Sequence, residues 1–109
     1  MRGFLKMNFN EYQDKAETFA SYDNVFYPYA SLMIETSELV DIFVKPLLRG
    51  DVKTIVREDV IAEAGDVLWN LAVLLKKNSI ELEEVAIYNI EKLTGRLERG
   101  TIRGDGDKR

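Results

Sequence analysis

The sequence predicts an all-α protein whose protomer resembles a four-helix bundle. Three observations carry that prediction. Apolar residues recur at helical spacing along most of the chain, strand-like alternation appears nowhere, and capping residues bracket the periodic stretches. With 109 residues, 46% of them apolar, the chain suits one globular domain with a single core. Residues 1–8 read as an N-terminal extension, 9–99 as the helical domain and 100–109 as a basic, Gly-rich C-terminal tail.

The first helix is expected from about Phe9 to Tyr22, capped by Asn8 or Asn10, with Phe9, Tyr12, Ala16, Phe19 and Ala20 as its packing stripe. Ser21 to Tyr29 reads as a loop, whose Phe26, Tyr27 and Tyr29 either fill core or line a base pocket. Pro28 suits the first turn of the second helix. That helix should stop near Lys45, because Pro46 removes a donor and disfavours helix in the residue before it. Leu47 to Gly50 then connects, Asp51 caps, and a third helix should run from Val52 to Leu75. Lys76 and Lys77 meet its negative end and Asn78 closes it. Ser79 is expected to cap the fourth helix, with Glu81, Glu83 and Glu84 in its first turn. Its buried stripe should be Leu82, Val85, Ala86, Asn89, Leu93 and Leu97.

Composition excludes several chemistries. Without cysteine there is no thiolate nucleophile and no disulfide framework, and without histidine the commonest general base is missing. Chemistry must run on carboxylates, Lys, Arg, Tyr, hydroxyls and amides. No run approaches the ~18 apolar residues of a membrane span. The first residues are too short and too polar for a signal peptide, so a cytoplasmic protein is expected. A net charge of −4 argues against nucleic-acid binding, which needs a basic face. Lys92, Arg96, Arg99, Arg103, Lys108 and Arg109 nonetheless gather near the end. They form either a solvated surface or a place for an anion.

Two acid pairs organise the chain: Glu35 with Glu38, and Glu63 with Asp66. Acids three apart stand on one helix face, so antiparallel packing of their helices would bring all of them together. At an effective dielectric of about 20 and about 4 Å, each close pair costs roughly 4 kcal/mol. Such a cluster must hold protons, spread apart or bind cations, and oxygen-only ligands favour a hard ion such as Mg2+. The same spacing occurs at Glu11/Asp14/Glu17, Glu38/Asp41 and Glu81/Glu84, most simply as solvated faces. The chosen pairs differ in being set among apolar residues, Leu32, Met33, Ile34, Leu39 and Val40 around one and Val60, Ala64 and Val67 around the other. Gly65, between Glu63 and Asp66, leaves room for a backbone or a ligand, or serves ordinary helix packing. Asn89, Lys92 and Arg96 form a row of donors one turn apart, suited to polyphosphate oxygens. Asn89 alternatively bridges helices.

The runs ETSEL, EAGDVLWNLAVLL and NIEKLTGRLERGTIRGDGDKR together resemble the MazG-like nucleotide pyrophosphohydrolases of the all-α NTP pyrophosphatase superfamily. The likeness runs from about Phe9 to the end of the chain, with Glu35, Glu38, Glu63 and Asp66 on that family's ExxE and ExxD motifs. It implies that these acids bind Mg2+, with Mn2+ as substitute, and that the ion holds a nucleoside triphosphate. It implies release of pyrophosphate, leaving the monophosphate. It implies substrate contacts from Asn89, Lys92 and Arg96, and assembly as a homodimer or a homotetramer built of dimers with sites at the subunit interface. Without histidine, the base is expected to be a metal-bound hydroxide or one of the cluster carboxylates, Glu38 by choice, and Glu38 and Glu35 are the catalytic candidates. Many relatives carry Tyr four residues after the ExxD aspartate. Here Asn70 stands there after Trp69, and both are taken as substrate-binding candidates. The alternative is a non-catalytic helical module of the same fold that binds a nucleotide or a protein partner. A di-iron bundle, which uses Glu-x-x-His pairs, fits poorly.

Overall fold

A computed structural model describes residues 6–100, all of its regular structure helical, with no strand among the described residues. Four α-helices follow in order: α1 (Phe9–Glu17), α2 (Tyr27–Arg49), α3 (Arg57–Lys77) and α4 (Leu82–Arg99), with a 3₁₀ turn at Val52–Thr54. The first residues of the expected extension and most of the basic tail lie outside the described residues.

The start of α1 follows from a reciprocal cap. Asn8 Oδ1 accepts from the Glu11 N–H at 2.8 Å, and Glu11 Oε1 accepts from the Asn8 N–H at 3.4 Å. The helix ends at Glu17 rather than Tyr22. The Thr18 hydroxyl donates to the Lys15 carbonyl, and the N–H groups of Phe19 and Ala20 bond three residues back, so the last turn tightens and stops.

Pro28 stands in the first turn of α2, as expected. Pro46 does not end the helix, contrary to expectation. A proline forfeits its own N–H bond, but α2 continues to Arg49, where Gly50 takes a left-handed cap at φ 70°. The N–H groups of Gly50 and Asp51 satisfy the carbonyls of Leu47 and Pro46. The third helix begins at Arg57, later than the expected Val52. Thr54 donates its hydroxyl to the Asp51 carbonyl, which fixes the 3₁₀ turn, and β-branched Val56 precedes α3 in extended conformation as its N-cap in place of Asp51. Asn78 closes α3 as expected, its amide donating to the Leu74 carbonyl at 2.8 Å.

Ser79 does not cap α4. It is the one non-glycine residue with positive φ among those described, and it turns the chain so that Ile80 N–H reaches the Leu75 carbonyl. Glu81 is the cap, paired reciprocally with Glu84.

The central element is α3. It packs along α2, carries α1 on another face and meets α4, whereas α4 does not pack on α2. Ala16, Ala72, Val73 and Leu82 are the buried apolar residues, ringed by Tyr12, Leu68, Trp69, Leu71 and Leu75. Gln13, equally buried, donates to the carbonyls of Ala72 and Ile80 and accepts from the Leu82 N–H, each at 3.0 Å. The sequence stripes overstate this core. Phe9, the first residue of α1, is exposed, Phe19 lies beyond the end of that helix and is exposed too, and of the α4 stripe only Leu82 is fully buried, with Val85, Asn89 and Leu97 exposed. On α2, Met33 is 75% and Leu48 82% exposed.

Candidate metal centre

The antiparallel pairing of α2 with α3 brings acids from both motifs together. Glu35, Glu63 and Asp66 each offer an oxygen, and these oxygens lie within 4.8 Å of one another. Glu35 and Glu63 are half-buried and Asp66 is exposed. Glu38, also exposed, lies outside this triple but within reach of it. Its charge and a shared side-chain hydrogen bond both act on Glu35.

The electrostatics are those of a site short of positive charge. The Glu35 carboxyl is pushed above the ordinary carboxylate range, first by burial, then by the charge of Glu38, by Asp66, by the hydrogen bond to Glu38 and by Glu63. Among the described residues, the side chains that act on it are all acids. Glu35 Oε2 and Glu63 Oε2 are both buried without a hydrogen-bond partner. Buried carboxylate oxygens without donors are costly, and a hard divalent cation is the ligand such a donor set fits. A Cβ built at Gly65 would meet nothing within 4 Å, so packing inside the protomer does not require the glycine.

A profile of the MazG nucleotide pyrophosphohydrolase domain matches residues 29–100, the span that holds both acid pairs and all of α4. The chain belongs to the MazG nucleotide pyrophosphohydrolase family. This MazG-family chain is also 36% identical over 92 residues to the "Gene 37 protein" of Mycobacterium phage L5, an alignment that covers 82% of the chain and 80% of the phage protein. No solved structure gives a significant match.

The other residues singled out in the sequence lie at varying removes from the acids of this MazG chain. Asn70 is 2% exposed and donates to the Asp66 carbonyl at 2.9 Å, while its Oδ1 is buried without a partner. Trp69 packs beside the core and donates its indole N–H to the Ala16 carbonyl at 2.9 Å. Asn89 is exposed on α4, Lys92 Nζ lies 5.9 Å from the centre of the Tyr88 ring, and Arg96 is 3% exposed. Among the described residues α4 does not pack on α2, the helix that carries Glu35 and Glu38.

Tyr12 escaped sequence reasoning. Its phenol is pushed up by burial and by the charge of Asp66, which places this α1 residue beside the acids. Only the packing of α1 on α3 reveals it, because the two residues are remote in sequence.

Proposed function

We propose that the chain hydrolyses nucleoside triphosphates to nucleoside monophosphate and pyrophosphate, with Glu35, Glu38, Glu63 and Asp66 holding Mg2+ (or Mn2+ in its place). The pair of buried, partnerless oxygens on Glu35 and Glu63, clustered with Asp66, supports this reading most directly. When bound, the ion supplies charge neutralisation and water activation. The chain's own residues supply the rest. Glu38, the exposed glutamate of the first pair, takes the proton of the attacking water. The water oxygen forms the new bond to phosphorus as the α–β phosphoanhydride bond breaks, and pyrophosphate departs. Asn89, Lys92 and Arg96 bind substrate oxygens. Trp69 and Asn70 act on substrate through the α3 turn that bears Asp66.

The functional unit is a homodimer or a homotetramer. Large apolar side chains exposed along α2 and α4 support a second copy of the chain as partner. Apposed copies bring the α4 donors to the acids. The activity suits cleaning of the cytoplasmic nucleotide pool. No described helix is long and apolar enough to cross a membrane.

The test is a panel of ribo- and deoxyribonucleoside triphosphates with Mg2+, following pyrophosphate and orthophosphate separately. Pyrophosphate with monophosphate is expected, abolished by EDTA and by Glu38→Gln or Asp66→Asn in folded protein. Orthophosphate with diphosphate would overturn the reaction, and wild-type rates in either variant would remove the acids from it.

A further inference from the structure

We propose that a groove continuous with the acids is the nucleobase pocket, and that Asp59 and Arg49 read the edge of the base. The proposal rests on the reading above and adds the side chains that select the substrate. The groove holds about 420 Å³, within the roughly 300–1,000 Å³ of small-molecule sites. Glu38 and Glu63, both members of the acid centre, form one part of its wall. A triphosphate held at those acids therefore presents its nucleoside to the rest of the groove.

The remaining lining comes from the end of α2, the 3₁₀ turn and the start of α3, and its charges balance. Lys45 Nζ meets Asp41 Oδ2 at 2.8 Å, so these two neutralise each other. Arg49 and Asp59 are left, one donor group and one acceptor group, and Arg49 makes no ion pair among the described residues. Thr54 donates its hydroxyl to the Asp51 carbonyl, which leaves its lone pairs to accept. Ile42 and Pro46 add apolar wall. A second polyphosphate would face the carboxylates of Asp41 and Asp59 with no net positive charge to offset them. A neutral, flat group with N–H donors and carbonyl or ring-nitrogen acceptors on one edge fits better, and a nucleobase is such a group. The aromatic recess formed by Val25, Phe26, Tyr29 and Lys77 lies towards the opposite end of α2, and none of the acids lines it.

The test reads binding, independently of turnover. Adenosine, guanosine, cytidine and uridine 5′-monophosphates are titrated by calorimetry into the full chain with Mg2+. The strongest and weakest should differ by about tenfold or more, the size of one good base contact. Asp59→Asn and Arg49→Gln should each change that ratio by about fivefold or more, whereas Tyr29→Ala should leave it within about twofold. Arg49→Lys, which keeps charge but loses the planar fork, should change it as well. Circular dichroism checks that each variant is folded. A flat ranking, no binding, a ratio that ignores Asp59 and Arg49, or one that moves with Tyr29 would overturn the proposal. The triphosphate panel stands apart. Pyrophosphate release with a ranking indifferent to Asp59 and Arg49 sinks the pocket alone, and a ranking that depends on them without hydrolysis sinks the reaction alone.

Discussion

Asn70 donates its side-chain amide to the main-chain carbonyl of Asp66 one turn back, at 2.9 Å, and its own carbonyl oxygen is buried with no donor. Removing a partnerless polar atom without leaving a cavity relieves its desolvation cost. Asn70→Leu should therefore stabilise the metal-free protein by about 1 kcal/mol in urea unfolding. A loss of stability would mean that the bond to Asp66 outweighs the orphaned oxygen. A raised KM in the same variant would show contact with substrate.

Gln13 is the polar hinge between α1, α3 and the beginning of α4. Its three bonds satisfy backbone groups that no water can reach once the core closes. Each buried group left unsatisfied costs about 1–3 kcal/mol, so Gln13→Ala should lose roughly 3 kcal/mol. Chemical denaturation measures it. A loss below about 1 kcal/mol would show that water replaces the amide.

Glu35 gives the metal-free protein a pH dependence whose sign follows from its raised pKa. Its native carboxyl holds a proton more tightly than the unfolded chain does, chiefly through burial and then through the neighbouring acids. That contribution is complete below the unfolded pKa, about 4.3, and is lost as pH rises through the folded value. In EDTA at neutral pH, Glu35→Gln should melt a few degrees higher than wild type, and the gap should close on acidification. Mg2+ binding should weaken over the same acid range, because ion and proton compete for the carboxylate. Melting curves and titrations at several pH values check both. A variant that melts lower than wild type at neutral pH would contradict the raised pKa.

The exposed α2 surface provides a separate expectation. Sedimentation should return a multiple of 12.5 kDa, and melting temperature should rise with protein concentration. Met33→Glu, placed on a residue that is largely solvent-facing in one protomer, should shift the mass towards 12.5 kDa. In a monomeric protein the same change would be nearly silent. A wild-type chain that sediments as a monomer at high concentration removes the oligomer.

The sequence revealed most of the fold because its signals were local. Pro28, Asn8 as the cap of α1 and the lysines at the end of α3 all lie where helix physics places them. The errors came where a local rule met a competing one. Pro46 was overridden by the left-handed cap at Gly50, and Ser79 yielded the cap of α4 to Glu81. Periodicity read an inward face on α4, but a helical stripe does not say whether the covering surface belongs to the same chain. In the candidate site, the three-residue spacing with apolar neighbours singled out Glu35, Glu38, Glu63 and Asp66, and three of these offer oxygens within 4.8 Å of one another. The nearness of Tyr12 to Asp66, and the shared groove of Asp59 and Arg49, depend on pairings between distant segments that no spacing encodes.

All four acids sit on one helical hairpin, α2 with α3, joined by a short turn. Short sequence separation makes such a unit quick to form, so the acid centre can assemble before α1 and α4 dock. Assembly of the acid centre and docking of the flanking helices are thereby separate events along the chain. Substitutions can accumulate in α1 and α4 while the hairpin continues to deliver its carboxylates to the same place.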